Sequence, residues 1–136
     1  MLGDDEYLDA VVKGSRWLAR VRHESGGIPD FHSNGLVKKL VTDATAQAVH
    51  IWLILYKYKL TGSEYWLNCA EKGLKFLHNV MFRKGPAYGA LLAHVYALGP
   101  VRYAVPRVHT RSIMFVVQAF TMYEYLEKLT LDEMIV

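Results

Sequence analysis

Between Met81 and Arg111 the chain carries five cations (Arg83, Lys84, Arg102, Arg107 and Arg111) and no Asp or Glu. Tyr88, His94, Tyr96, Tyr103 and His109 are interleaved with them. Guanidinium forks recognise carboxylate, sulfate or phosphate through paired N–H donors, and tyrosine faces stack on sugar rings. The chemistry such a set would do is recognition of an anionic saccharide such as a uronic acid. The competing reading is a short β-hairpin, "AHVYALGPVRYAVP", turning at Gly99-Pro100, with its arginines in water or at helix ends. The formal net charge is +3, so the rest of the chain sums to 3 − 5 = −2. The basic character belongs to one segment, which argues against a broad nucleic-acid-binding face and for a local anion site.

A second group lies earlier: Glu24, Asp30, His32 and Asp43, with Phe31 as a stacking platform. "TDAT" immediately before an apolar helix makes Asp43 either a helix N-cap or a carboxylate that works as general acid or base once burial raises its pKa. Asp30 and His32 flank Phe31 in a Gly/Pro/Asn-rich loop, which suits a solvated connection as well as a site. Asp30, His32 and Asp43 match no specific metal-ligand spacing, and no metal is expected. No G-x-S-x-G, no loop Cys–His pair and no phosphate-cradling glycine loop is present, so neither nucleophilic catalysis nor a cofactor is expected. Cys69, the single cysteine, reads as a small buried residue, and His50 as a hydrogen-bonded core histidine.

The elements that must position these groups come in a repeat. "LGDDEYLDAVVKGSRWLARV" near the start is echoed by "TGSEYWLNCAEKGLKFLHNV". Gly3 matches Gly62, Leu8 matches Leu67, Lys13-Gly14 matches Lys72-Gly73 and Trp17-Leu18 matches Phe76-Leu77, always with the offset 62 − 3 = 59. Both copies place apolar residues at helical spacing. Each is followed by a long loop and then an apolar helix, "ATAQAVHIWLILYKYKL" or "SIMFVVQAFTMYEYLEKL". Aligning Tyr56 and Tyr58 with Tyr123 and Tyr125 gives an offset of 67 between these two helices; aligning Gln47-Ala48 with Gln118-Ala119 gives 71. Both registers stay open. The expected fold is all-α: one helical domain over 1–136, two αα-hairpins at about 3–61 and 62–129, with a short β-hairpin in the second loop.

The strings "GGIPDF", "TDATAQAV" and "YKYKLTGSEYWLNCAEKGLKFL" resemble the (α/α) toroid, or six-hairpin glycosidase-like, proteins. Among these are the N-acylglucosamine 2-epimerases, the unsaturated glucuronyl hydrolases and several polysaccharide lyases. The resemblance covers most of 3–80 and more loosely 81–129. It is one of architecture, and none of these strings is a catalytic signature. Those families close a ring from more hairpins than the two found here, so the chain resembles a portion of a toroid: part of a split or longer protein, or a protomer completed by copies of itself.

In such toroids the loops entering the inner helices line a central cleft. The resemblance therefore implies a carbohydrate-active or carbohydrate-binding protein acting on an acidic sugar or polysaccharide, as epimerase, hydrolase or lyase. Asp43 and Asp30 are then the acid/base candidates, with His32 and His109 as proton-transfer partners. Phe31, Tyr88, Tyr96 and Tyr103 would stack on the sugar, and Arg102, Arg107 and Arg111 would clamp its anion. The alternative is a non-catalytic helical-repeat module that assembles with itself or a protein partner. The apolar runs "IWLILY" and "SIMFVVQAF" imply edges that need covering, so a homo-oligomer or a partner subunit is expected. No basic flank with an apolar run follows the N-terminus, and polar residues interrupt each helix before about 18 apolar positions accumulate. A cytoplasmic protein with neither nucleic acid nor membrane as partner is the expectation.

Overall fold

The structure, a computed structural model, describes residues 4–30, 35–59, 62–130 and 133–134. Four helices form where the 3.6-residue period runs: α1 (Asp4–Val21), α2 (Thr42–Lys57), α3 (Ser63–Asn79) and α4 (Thr110–Glu124). α2 is apolar on most sides, and Ala46, Val49, Trp52 and Leu53 are fully buried because α3 and α4 flank it. α3 lies close: a Cβ at Gly73 would fall 2.4 Å from Val49 Cγ2. α1 packs more lightly, tied to α2 by the Trp52 indole N–H donating to the Ser15 carbonyl (3.4 Å).

The register of the two apolar helices is settled by burial. Thr45, Val49, Trp52 and Leu55 of α2 are buried, and so are Ser112, Val116, Ala119 and Met122 of α4, each 112 − 45 = 67 positions later. The C-caps Tyr58 and Tyr125 keep the same offset. The tyrosine alignment is the structural one.

The all-α expectation is overturned by a four-stranded antiparallel sheet, in the order β1 (Ile28–Pro29), β2 (Val37–Val41), β3 (His94–Leu98) and β4 (Val101–Ala104). The hairpin read in the second loop is β3–β4. The first loop also folds into strands, and β2 pairs with β3 so that one sheet joins both repeats. The physical reason is that a long connection must find partners for its backbone N–H and C=O groups. "LVKKLV", following Asn34-Gly35, has the β-branched content and turn signal of a strand. β2 continues directly into α2, and the junction is bonded on both sides. Thr42 N–H donates to the Ala93 carbonyl (3.0 Å), while Thr45 Oγ1 accepts from Ile28 N–H (2.9 Å) and donates to the Val41 carbonyl (2.7 Å). The sheet thus sits where α2 and α4 begin. Leu40, Val95 and Ala97 turn to the core, and β4 is exposed along its whole length at one edge.

Candidate functional site

Side chains alternate across a strand, and directly opposed residues of an antiparallel pair share a face. Lys39 opposes Tyr96, and Tyr96 opposes Tyr103. Asp30, just past β1, donates its N–H to the Lys39 carbonyl (2.6 Å), and its Oδ2 lies 3.5 Å from Lys39 Nζ. A row of Asp30, Lys39, Tyr96 and Tyr103 therefore crosses the sheet on the face opposite the core-facing Leu40, Val95 and Ala97. The rings of Tyr96 and Tyr103 stack with centroids 5.1 Å apart and planes 13° from parallel. His94 meets Tyr96 edge to face at 5.3 Å.

Charge gathers on the same side. Burial first, and then the nearby Lys39, Arg107 and His109, hold His94 below its ordinary pKa, with Asp30 opposing them. Three cationic or titratable nitrogens thus lie close enough to be felt at His94. His109 is the N-cap residue of α4, and Arg107 is fixed through its carbonyl, which accepts Ala93 N–H at 2.7 Å. The face presents two stacked phenols, with Lys39 and His94 beside them and Arg107 and His109 close by.

No protein family, curated protein or solved structure matches the chain.

The remaining candidates separate. Asp43 is not the N-cap of α2; that place belongs to Val41, which has no side chain to cap with, and Asp43 lies within the first turn. Asp43 Oδ1 accepts Ala44 N–H (3.0 Å), and Oδ2 lies 3.3 Å from Arg111 Nη2. Arg111 sits in the first turn of α4, where a cation opposes the helix dipole and a nearby carboxylate offsets it. That ion pair joins the beginnings of α2 and α4, so Arg111 has an acidic partner its own segment lacks. Arg102 opposes Ala97 and stands on the other face from Tyr96 and Tyr103. There it lines a cleft of about 310 Å³ with His23, Glu24, Ser25 and Pro100. Tyr88 is exposed on the turn closed by the Met81–Leu91 bridge. Phe31 and His32 lie outside the described residues. His50 donates Nε2–H to the Met134 carbonyl (2.6 Å), which places it in the packing of the helices.

The structure thus brings together Asp30, Tyr96, Tyr103, Arg107 and His109, and adds Lys39. Lys39 is not among the sequence candidates because the Gly/Pro/Asn content before it reads as loop; a period-2 reading of "VKKLV" puts it on one face with Val37 and Val41. Both candidate acids, Asp30 and Asp43, are paired with cations. Among the described residues no three His, Cys, Asp or Glu side chains converge to hold a metal ion. None of the described helices is long and apolar enough to cross a membrane. The arrangement can stack a ring and hold its anion.

Proposed function

We propose that the chain binds an acidic saccharide on the open face of its sheet. The observation that carries this reading is the row Lys39–Tyr96–Tyr103, with Arg107, His94 and His109 beside it. Tyr103, at the sheet edge and half exposed, keeps the ring face turned away from Tyr96 for stacking on a sugar, while the cations offer charge-assisted hydrogen bonds to a uronate or sulfate. The meeting of both long loops in one sheet supports treating them as one site. With Asp30 and Asp43 held in ion pairs, binding is better supported than acid–base catalysis.

The test is calorimetric titration with an oligogalacturonate and with a neutral oligosaccharide of equal length. The charged ligand should bind more tightly, and salt should erode the difference over a Debye length of about 8–10 Å. Replacing Lys39 and Arg107 with Ala should remove most of the preference, at about 1.5–3 kcal/mol for each charged hydrogen bond lost. Tyr103→Ala should weaken both ligands. Equal affinity of the wild type for the two would overturn the reading.

A second reading, self-association, is favoured by a separate observation. Met114 and Val117 on one face of α4, with Val105 and Val108 on the segment leading into it, are 38–59% exposed. Light scattering should show an oligomer that Val117→Asp returns to monomer. A wild-type monomer at all micromolar concentrations would dismiss it.

A further inference from the structure

Away from the sheet, at the end of α2 where α3 begins, a cleft of about 600 Å³ opens between α1 and α3. Its walls are Lys13, Arg16 and Arg20 from α1, and Gly62, Tyr65 and Trp66 from the start of α3. The three cations are spaced i, i+3 and i+7, which sets them along one face of α1. Lys13 pairs with Asp9 (2.6 Å), a largely solvated contact, and Arg16 is near enough to Tyr65 for its charge to be felt at the phenol. The first-turn acid Glu64 does not line the cleft.

Two further features meet here. Gly62 is the N-cap of the seventeen-residue α3 and supplies no capping side chain, so the positive end of that helix lacks the usual side-chain acceptor. Trp66 is 1% exposed, and its indole N–H is the single buried side-chain polar atom among the described residues without a hydrogen-bond partner. Buried donors are nearly always satisfied; this N–H is covered in the structure, and because Trp66 lines the cationic cleft, a small turn of its ring would bring it to an acceptor carried by a ligand.

We propose that this cleft binds a phosphoryl-bearing small molecule, held by Lys13, Arg16 and Arg20 at the N-terminus of α3, with a phosphoryl oxygen supplying the acceptor for Trp66. A dianion with several equivalent oxygens matches a set of forks, helix N–H groups and an indole donor better than a carboxylate, which one fork saturates. The site is separate from the sheet and does not depend on the saccharide reading.

The experiment is titration of ¹⁵N-labelled protein with sodium pyrophosphate, following the indole N–H signals by NMR and the heat by calorimetry; Trp66→Phe assigns the signal. The Trp66 signal should move with pyrophosphate and not with acetate, and the signals of Trp17 and Trp52 should move less. Arg16→Gln with Arg20→Gln should weaken binding by about tenfold or more, with the fold kept because both side chains are exposed. The Lys39→Ala, Arg107→Ala variant should bind pyrophosphate as the wild type does. A motionless Trp66 signal at millimolar pyrophosphate, an equal response to acetate, or undiminished binding in the double Gln variant would each overturn the proposal.

Discussion

Gly14 and Gly73 hold the same place in the two repeats, since 73 − 14 = 59, yet their surroundings differ completely. An added Cβ at Gly14 meets nothing within 4 Å, on an exposed stretch of α1. Gly14→Ala should therefore gain the full difference in helix propensity, about 0.8–1 kcal/mol, and raise the melting temperature by roughly 3–5 °C. At Gly73 the new methyl would lie 2.4 Å from Val49 Cγ2, with Thr45 Cγ2 and Trp52 Cζ3 already at 3.7 Å. Val49 is fully buried and, being β-branched in a helix, has essentially one rotamer, so the helices themselves must part. Overpacking of this kind costs about 1–3 kcal/mol and outweighs the propensity gain, leaving Gly73→Ala destabilised by up to about 2 kcal/mol. Denaturant unfolding of both variants measures the two signs directly. Adding Val49→Ala to Gly73→Ala should show a favourable coupling of about 1–2 kcal/mol, because the clash is gone. If Gly73→Ala stabilises the protein as Gly14→Ala does, the close α2–α3 approach is refuted.

Three other outcomes can be checked. His94 has a folded pKa below its ordinary 6.5, so the folded state prefers the neutral ring; its contribution is whole above that value and is lost as pH falls through the folded pKa. Thermal melts at pH 7.5 and 5 should show a smaller loss for His94→Asn than for wild type, and an acidic ligand, which favours the protonated ring, should bind wild type more tightly at the lower pH. Thr45→Val leaves Ile28 N–H without its acceptor in the core and should cost about 1–3 kcal/mol in urea unfolding. Arg111→Ala breaks an ion pair whose arginine is 70% exposed, so stability should change by less than about 1 kcal/mol and saccharide titration should be unaltered.

The helices were legible because each carries its own period, and α1 and α3 also repeat one another. The sheet was half legible. "HVYALGPVRYA" advertises a hairpin by its turn residues, whereas "GGIPDF" hides β1 behind Gly and Pro, and β1 makes sense only as an edge laid against β2. Once β4 is a strand, Arg102 and Tyr103 must point to opposite faces, so a clamp using both was never available. The Asp43–Arg111 pair was beyond reach, since its partners are 68 residues apart and meet because α2 and α4 start side by side. Trp66 gave no hint either: an apolar helix position in the sequence says nothing of whether its indole N–H finds an acceptor.

β4 leaves one row of backbone N–H and C=O groups facing outward, and such an edge invites a strand from another molecule. Three residues make that invitation poor. Pro100 immediately before β4 and Pro106 just beyond it offer no N–H, which confines any added strand to four residues. Arg102 puts a charge in the middle of the strand, where a second β4 stacked parallel and in register would bring its own arginine directly opposite. Arg102, first read as a ligand clamp, thus guards the edge against fibrillar stacking. Its replacement by Val would leave "VVYAV", a short uncharged stretch of high β-propensity, and the protein's colloidal life in a concentrated solution would shorten accordingly.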